Sequence, residues 1–482
     1  MELTLPNQYD FVPRYFRLAI ANVLSNIMVP LANLVSIIFL GHLEKIQHLS
    51  GVALAGSFLN FLYLILIFLR MGTTGVTAQA VGRNDREGVL LIGLRNGLIA
   101  LVIGIVLILL QYPLGELAFD LLDVAQEIKL SGQAYFHTQI WGSPAVLLNF
   151  VLIGWFLGLE RNNLVLLLSV IGSGAKITFD YVFIIYLDWS STGAGVSSAI
   201  SQYLLLLVGL IFLCREIQGS EVPAIVGKFW NPSAFKAILT LNGNIFISNL
   251  AIMFTSLTFN YEGTQMGVTI YTQNALLFQI FSLSLYFIAG LGYGTETLVG
   301  NFKGQGSAQQ LRPLASVSVA TALLVAVFFG GVCVLFPGNV FGLLTNHNEV
   351  TETINSFTPW LLLTIIFGSI GFMLDGYFLG LAEGQTLRNV SLTALVVGFL
   401  PTDFTAIKFF SNDLLWLALS LFYAIRMMML GLQLPRTFES DVNDGSISLP
   451  ALEESLASPL TIKEKHQKML VETLEISQND AG

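Results

Sequence analysis

The chain has 482 residues, of which 54% are hydrophobic and only 11% are charged, and its formal net charge is −9. Soluble domains rarely contain less than about a quarter of charged residues, so this composition excludes an ordinary soluble protein and indicates a chain embedded in lipid. The acidic balance gives no reason to expect a nucleic-acid partner.

Apolar runs of about 20 residues, long enough to cross roughly 30 Å of hydrocarbon, recur from Leu18 to Leu434. They do not alternate with polar residues, so they predict membrane helices rather than the strands of a barrel. Boundaries are expected to hold within about four residues. The first six spans are predicted at 16–40, 50–70, 90–111, 134–158, 164–187 and 194–214. The second six are predicted at 236–259, 267–300, 313–336, 356–380, 387–408 and 412–434.

The distribution of lysine and arginine predicts the orientation of these spans. Eighteen of the 22 basic residues fall on the side shared by the termini, against Lys45, Lys129 and Lys408 on the other side, while Lys176 lies within a span. The eighteen include Arg70, Arg95 and Arg426. Because basic loops remain in the cytoplasm, we expect both termini there and the chain in the cell inner (plasma) membrane. The first residues lack a basic region and a cleavage site, so the first apolar run should remain as a span.

The two halves of the chain resemble each other. Leu-Ile-Gly-Trp-Phe-Leu-Gly-Leu at 152–159 aligns with Leu-Asp-Gly-Tyr-Phe-Leu-Gly-Leu at 374–381, at an offset of 222 residues. Val81-Gly82 aligns with Val299-Gly300 at an offset of 218. Each half holds an even number of spans, so the repeats should share one orientation, related by an axis along the membrane normal. The fold class expected is an all-α membrane protein of twelve helices in two pseudo-symmetric six-helix lobes, with the binding site between them.

Composition also predicts the domain limits. We expect an N-terminal lobe at 1–215, a cytoplasmic interlobe linker at 216–235, a C-terminal lobe at 236–434 and a cytoplasmic tail at 435–482. The linker contains the helix breakers Gly219, Pro223 and Pro232. The tail holds nine acidic and four basic residues, so it should be mostly disordered, with one possible helix near 460–475. It is either passive or regulatory.

Ionisable residues inside a span cost about 3 kcal/mol each on insertion scales, so the few that occur are functional candidates. Lys176 and Asp180 lie four residues apart in the fifth span, on one helical face where their side chains can pair. Burial opposes the charge of Asp180 and the ammonium favours it, so a change in hydration can load or release a proton. The alternative is that the two charges only neutralise each other.

Other polar residues in the spans leave two interpretations open. Asp375, in the tenth span, either binds a cationic substrate or takes part in proton coupling, or else pairs with a polar neighbour where helices pack. Glu296, at the cytoplasmic end of the eighth span, is either a gate or a solvated charge at a helix end. Six residues could line the cavity or join helices by hydrogen bonds: Asn33, Asn149, Ser198, Gln202, Tyr271 and Gln273.

Several motifs occur in order along the spans. They are Gly41-His42-Leu43, Ala78-Gln79-Ala80-Val81-Gly82, Gly142-Ser143-Pro144-Ala145-Val146-Leu147-Leu148-Asn149, Phe179-Asp180-Tyr181, Thr295-Glu296-Thr297-Leu298-Val299-Gly300, and Leu374-Asp375-Gly376-Tyr377-Phe378-Leu379-Gly380 followed by Leu387-Arg388-Asn389. Together they resemble the multidrug and toxic compound extrusion (MATE) family, in its DinF-type branch, from about Arg14 to Leu434. The resemblance implies two six-helix lobes, alternating access, and export driven by proton or sodium entry.

The chain also departs from the pattern that this resemblance implies. Asp180 matches the coupling carboxylate of the family, but Ser36 stands where DinF-type relatives usually have an aspartate, and Lys176 where an asparagine is usual. Ala21 replaces a helix-bending proline, and Ala289 an aspartate common in the eighth span. Sodium binding needs several oxygen ligands and is opposed by a nearby ammonium. Ser36, Lys176 and Asp180 therefore favour coupling to protons over sodium.

The function expected is a secondary antiporter that exports small drug-like or metabolite molecules against proton entry. We expect it to act as a monomer in the bilayer, with no metal and no cofactor beyond the ion gradient. An exporter of organic anions stays open because of Lys176 and the missing acids at Ser36 and Ala289. A lipid-linked carrier flippase also stays open, although it would need a strongly basic cavity. Neither a nucleotide-binding loop nor a cluster typical of an enzyme site is recognisable, which disfavours an enzyme.

Overall fold

A computed structural model describes residues 7–120, 125–217, 221–345 and 353–438 of the chain. The described residues form helices joined by turns and contain no strand. Twelve helices among them are long and apolar enough to cross a membrane. The described residues of 7–230 and 238–438 belong to one compact unit, whereas 231–237 fall in a second unit. The fold is therefore the predicted all-α membrane architecture.

The twelve membrane helices follow one another with short connections. The first six are α1 Val12–Gly41, α2 Ile46–Gly82, α3 Arg86–Leu109, α4 Gln126–Gly158, α5 Asn162–Tyr186 and α6 Ser190–Glu216. The second six are α7 Pro232–Gln265, α8 Val268–Gly304, α9 Ala308–Leu335, α10 Thr358–Gly380, α11 Gly384–Phe409 and α12 Asn412–Thr437. In the described parts of the connections, three short helices lie between spans, at Gln111–Asp120, Val222–Phe229 and Pro337–Gly342. Successive spans alternate in direction, so α1 begins and α12 ends on one side, called here the terminal side, opposite the far side.

Four span boundaries differ from the prediction by more than the expected margin. Helix α7 ends at Gln265 rather than at 259, and α9 begins at Ala308 rather than at 313. The other two differences are larger. Helix α2 continues to Gly82 rather than ending at residue 70, and α4 begins at Gln126 rather than at 134. The extension of α2 contains Thr73, Thr74 and Thr77, which lower its hydropathy, yet all three are fully buried. These threonines pack against protein rather than lipid, so a hydropathy scan ends the span too early.

Some helices contain irregular turns close to candidate residues. Helix α5 changes to a π-helix at Tyr181–Tyr186, directly after Asp180, and α11 does so at Ala394–Phe399. Such π-helical turns are frequent at functional sites. Helix α1 contains Pro30, which cannot donate a backbone hydrogen bond. Pro30 lies nine positions after Ala21, and Ala21 is the position at which the family resemblance implies a helix-bending proline.

Matching turns in the two halves show the pseudo-symmetry of the lobes α1–α6 and α7–α12. Asn84 and Gly306, which follow α2 and α8, have φ of 55° and 70°. Glu160 and Ala382, which follow α4 and α10, both have φ of 60°. Each pair is 222 residues apart. The offset of 222 is confirmed, and the alignment of Val81-Gly82 with Val299-Gly300 is wrong by one helical turn.

The connection between the lobes is partly helical. The prediction of a loop with helix breakers is wrong for residues Val222–Phe229, which form a helix, and α7 begins at Pro232. Arg95 of α3 donates to the carbonyl oxygens of Phe229 at 3.1 Å and Lys228 at 2.6 Å, so this helix is held against α3. The exact lobe limits and the linker limits stay predictions. The predicted disordered tail lies outside the described residues, apart from its first four.

Three of the arginines counted on the terminal side lie well inside membrane helices. Arg70 is in α2, Arg95 in α3 and Arg426 in α12, and the last two are buried. Each lies at the edge of an apolar run or within one, and a charged residue there is easily interpreted as the end of a span. Without these three, basic residues still concentrate on the terminal side, so the predicted orientation keeps its support.

Candidate functional site

Four polar side chains from three helices meet inside the N-terminal lobe. Lys176 and Asp180 lie on α5, Ser36 on α1 and Ser198 on α6. The Lys176 ammonium donates to Ser36 Oγ at 2.8 Å, Asp180 Oδ2 at 3.0 Å and Ser198 Oγ at 3.3 Å. The spacing of four residues on α5 brings Lys176 and Asp180 together as predicted. We call these four residues the coupling centre.

Asp180 is only partly satisfied in this centre. Its side chain is 0% exposed, and its Oδ2 accepts hydrogen bonds from Lys176 and the Ser36 hydroxyl. Its Oδ1 has no hydrogen-bond partner among the described residues. A buried carboxylate with an unpaired oxygen is expensive unless it changes its protonation or recruits water. The arrangement therefore leaves one oxygen of Asp180 available for a proton.

The ammonium of Lys176 occupies the middle of an oxygen cluster. Its three oxygen neighbours come from a carboxylate and two hydroxyls on three different helices, and its side chain is 16% exposed. Carboxylate and hydroxyl oxygens are also the ligands that hard monovalent and divalent cations prefer. Lys176 is thus a cation tethered to the chain and surrounded by oxygens of the kind that bind hard cations.

The coupling centre lies in the far-side half of its lobe. Ser36 is close to the end of α1 at Gly41, and Asp180 is close to the end of α5 at Tyr186. Ser198 is two turns after the beginning of α6 at Ser190. All three chain ends are on the far side by the alternation of spans. Groups in the centre are therefore nearer to the far side than to the terminal side.

Asp375 is paired within the C-terminal lobe. Both of its carboxylate oxygens accept from Arg426 Nη2 of α12, each at 2.7 Å. Arg426 is 2% exposed and Asp375 is 8% exposed, so the pair is buried. The structure therefore favours the interpretation of Asp375 as one partner of a polar pair between packed helices. Sequence reasoning missed this partner because Arg426 was counted with the basic residues of the terminal side, although it falls within the predicted span 412–434.

The other predicted cavity residues do not form one cluster. Asn149 donates to the carbonyl and the side-chain oxygen of Gln202, at 2.9 and 3.0 Å, joining α4 to α6. Gln273 donates to Thr353 within the second half of the chain. Asn33 and Tyr271 are exposed. Only Ser198, of the six residues in that group, belongs to the coupling centre.

Glu296 is a buried acid rather than a solvated one. It is 0% exposed, and neither carboxylate oxygen has a hydrogen-bond partner that satisfies normal geometry among the described residues. Two groups on α2 act electrostatically on this acid, the guanidinium of Arg70 and the backbone of Gly75. The interpretation of Glu296 as a solvated charge at a helix end is therefore wrong. The gate interpretation stays a prediction.

Helices α2 and α8 bring the two lobes into close contact on the terminal side. A Cβ added to Gly82 would lie 2.2 Å from the carbonyl oxygen of Asn301, and one added to Gly304 would lie 2.1 Å from that of Gln79. Only glycine allows two backbones to approach so closely. We call residues 70–82 of α2 and 293–304 of α8 the seam.

Further interlobe contacts lie in the same half of the membrane. Thr297 of α8 donates to Leu157 O at 3.3 Å, and Gln79 of α2 donates to Gly380 O at 2.8 Å. The Phe11 ring contacts Phe302 with centroids 5.9 Å apart. These contacts and the seam all join terminal-side parts of the spans. The coupling centre, in contrast, is in the far-side half.

Two cavities in the described part of the chain lie away from the predicted residues. One, of about 230 Å³, is apolar and lies between α3, α4 and α6. The other, of about 420 Å³, is lined by Arg17, Glu160, Arg161, Glu216 and neighbouring residues at the terminal side. None of the residues predicted to line the substrate cavity belongs to either.

Comparison with known proteins extends the likeness across most of the chain. The MatE family model matches residues 22–182 and 245–404. DNA damage-inducible protein F of Escherichia coli strain K12 is 28% identical over 411 residues, covering 85% of this chain and 89% of that protein. Probable multidrug resistance protein NorM of Thermotoga maritima is 24% identical over 408 residues, covering 83% and 86%. The first of these relatives agrees with the predicted DinF-type branch.

Solved structures share the fold. A MOP superfamily transporter from Pyrococcus furiosus matches with a TM-score of 0.79 at 18% identity, covering 88% of this chain and 95% of that one. An outward-facing MATE family transporter of the MOP superfamily also gives 0.79 at 18% identity, covering 88% and 96%. Because the family model matches both halves of the chain, this protein belongs to the MatE family of multidrug and toxic compound extrusion transporters.

Proposed function

We propose that the protein is a proton-driven antiporter that exports small organic molecules and that Asp180 carries the proton. The observation that supports this most directly is the unpaired Oδ1 of a fully buried Asp180 beside Lys176. In this proposal the chain is a monomer in the cell inner membrane with both termini cytoplasmic, as its basic residues favour.

Protonation of Asp180 would loosen the coupling centre. The neutral acid no longer attracts the Lys176 ammonium, and Ser36 loses its ionised acceptor. The hydrogen bond that Ser36 of α1 donates to Asp180 of α5 then weakens, while Lys176 keeps its hydroxyl contacts with Ser36 and Ser198. Charge-assisted hydrogen bonds are roughly twice as strong as neutral ones, so their loss changes how α1 packs against α5. Pro30 gives α1 a place to bend in response.

Protons are favoured over sodium because of Lys176. A sodium ion bound near Asp180 Oδ2 would have to displace an ammonium that already lies 3.0 Å from that oxygen. Two unit charges of like sign about 4 Å apart repel by about 4 kcal/mol at an effective dielectric constant near 20. A proton on the free oxygen of Asp180 meets no such obstacle.

Alternating access would proceed around the terminal-side contacts. The seam joins the lobes near the terminal side, so this arrangement favours access to the coupling centre from the far side. Opening toward the terminal side would require α2 and α8 to separate. In the proposed orientation, substrate would enter from the cytoplasm or inner leaflet and leave on the far side.

The experiment is transport in proteoliposomes with an imposed proton or sodium gradient. The native chain should transport with a proton gradient, and Asp180→Asn should lose nearly all proton-driven flux. Asp403→Asn provides a matched control, since Asp403 is also a buried acid with one unpaired oxygen but lies on α11, outside the coupling centre. Equal flux through native protein and Asp180→Asn would refute the assignment of the proton site.

Export of organic anions is a second candidate, supported by the Lys176 ammonium that remains when Asp180 is protonated. A structural neighbour from Pyrococcus furiosus is described as having a binding pocket of reverse polarity that suggests a different function. Uptake of cationic and anionic dyes into everted vesicles separates the two possibilities. A preference for anions that disappears in Lys176→Asn would favour this candidate.

A further inference from the structure

We propose that Glu296 is a second proton site, located at the seam, and that a proton bound there stabilises the packed arrangement of α2 and α8. This inference rests on the proposed function only in assuming that the seam opens during transport. It concerns a different acid, in the other lobe and on the opposite side of the membrane from Asp180.

Glu296 is buried and lacks hydrogen-bond partners of normal geometry among the described residues. Its side chain is fully buried, and neither carboxylate oxygen accepts a hydrogen bond of normal geometry within the described residues. An isolated ionised carboxylate in such a place would cost several kcal/mol, whereas a protonated carboxyl group carries no net charge. The packed seam therefore holds Glu296 as the neutral acid.

Arg70 is the cation that acts on Glu296, and its guanidinium packs against an aromatic ring. The guanidinium of Arg70 lies 3.7 Å from the centroid of the Tyr293 ring, one turn before Glu296 on α8. Arg70 Nε is buried and has no hydrogen-bond partner among the described residues. Arg70 therefore stacks on the Tyr293 ring and does not form an ion pair with Glu296. Its positive charge nevertheless acts on that carboxyl group.

The helix backbones around Glu296 approach one another closely. A Cβ at Gly380 of α10 would lie 2.5 Å from the carbonyl oxygen of Glu296, and a Cβ at Gly75 would lie 2.1 Å from that of Leu379. Helices α2, α8 and α10 thus pack backbone to backbone around the acid. Such packing leaves little freedom for Arg70 to reach Glu296 until α2 moves away from α8.

The other titratable groups on the helices packed around this part of α8 do not take the place of Arg70 as the cation that acts on Glu296. They are Tyr15 on α1, Glu160 at the end of α4 in an ion pair with Arg14, Arg312 exposed on α9, and on α10 Tyr377 together with Asp375, which is bound by Arg426. Separation of α2 from α8 would admit water or Arg70 to Glu296 and allow it to ionise. Low pH should therefore favour the packed seam, and high pH should favour its opening.

The test is a distance measurement across the seam. Spin labels are placed at Arg83→Cys and Gln305→Cys, two exposed positions just beyond the ends of α2 and α8, after replacement of Cys214 by Ser and Cys333 by Ala. Distances are recorded in lipid nanodiscs from acid to alkaline pH, with no substrate and no gradient. The ratio of the short to the long distance should fall as pH rises, by up to about tenfold per pH unit for one proton.

Variants identify Glu296 as the group responsible. Glu296→Gln should keep the short distance at every pH, because the amide resembles the neutral acid in shape. Glu296→Asp should retain a pH response. Thr297→Val, which removes the hydrogen bond to Leu157 O without removing an acid, should lower the short population equally at all pH values. A native distribution that does not change with pH, or a native response preserved in Glu296→Gln, would overturn the proposal.

Asp180→Asn in the same labelled background separates this proposal from the one before it. The seam response should persist in that variant, since Asp180 is in the far-side half of the other lobe. If the seam ignores pH while proton-driven flux still needs Asp180, only the seam site is refuted. If flux ignores Asp180 while the seam responds through Glu296, only the coupling centre is refuted.

Discussion

Each lobe buries one acid beside one base, and the two pairs are built differently. In the N-terminal lobe, Lys176 and Asp180 belong to one helix, and one carboxylate oxygen stays unpaired. In the C-terminal lobe, Arg426 of α12 contacts both oxygens of Asp375 of α10. Arginine keeps its charge at any physiological pH, whereas lysine changes its protonation more readily when buried. The comparison indicates a pair that can exchange protons in one lobe and a permanent tie between helices in the other.

The largest effect is expected from breaking the C-terminal pair. Arg426→Gln leaves Asp375 buried without its cation, and loss of one partner of a buried pair costs about 3–5 kcal/mol. We expect a large fall in the thermal unfolding temperature in detergent. The double variant Asp375→Asn with Arg426→Gln should recover much of that loss, because neither charge is then left alone. A double variant as unstable as the single one would contradict a simple tie.

A change in ion selectivity is expected from Lys176→Asn. This substitution removes the tethered cation and leaves the oxygens of Ser36, Asp180 and Ser198 around the vacated position. We expect sodium, but not potassium, to raise the thermal unfolding temperature of this variant and to stimulate its flux several-fold. The native protein should show neither effect. Lys228→Asn, at an exposed lysine of the linker helix, is the matched control.

A smaller effect is expected from Ser36→Ala. The hydroxyl of Ser36 donates to ionised Asp180, and a hydrogen bond to a charged group contributes about 1.5–3 kcal/mol. Its loss makes the ionised carboxylate less favourable, so the pH profile of proton-driven flux should move in the alkaline direction. Ser197→Ala, which removes a hydrogen bond to the Lys176 backbone instead, should not move the profile. An unchanged profile in Ser36→Ala would argue against a proton on Asp180.

The smallest effect is expected from Asn149→Ala. Its two hydrogen bonds to Gln202 join α4 to α6 away from both charge pairs. We expect a loss of stability of about 1–2 kcal/mol and no change in the proton or sodium dependence of flux. A change in ion dependence would mean that Asn149 takes part in coupling, as the sequence alone had allowed.

The fold was predictable because lipid leaves few choices for the chain. Apolar runs and the offset of 222 residues were enough for twelve helices in two related lobes. Failures occurred where a helix faces protein instead of lipid. Thr73, Thr74 and Thr77 extend α2 against hydropathy, and Arg426 lies deep in α12 although an arginine usually marks a loop.

The coupling centre was only half predictable. The spacing of Lys176 and Asp180 on one helix specifies their contact, and the family resemblance placed Ser36 near them. Contacts between distant spans could not be read in this way. Examples are the pairing of Asp375 with Arg426 and the burial of Glu296 near Arg70. Both depend on the angle at which helices cross, and the spacing of residues in a single sequence does not specify that angle.

The equal spacing of the left-handed turns ties the lengths of the two halves to each other. The same number of residues separates Asn84 from Glu160 as separates Gly306 from Ala382. Both stretches start beside the seam. They end just after α4 and α10, two helices that contact the opposite lobe. An insertion in one stretch would shift one half of this interlocked arrangement and not the other. Extra residues should therefore be tolerated less well within the described helices of these two stretches than in the connection between the lobes.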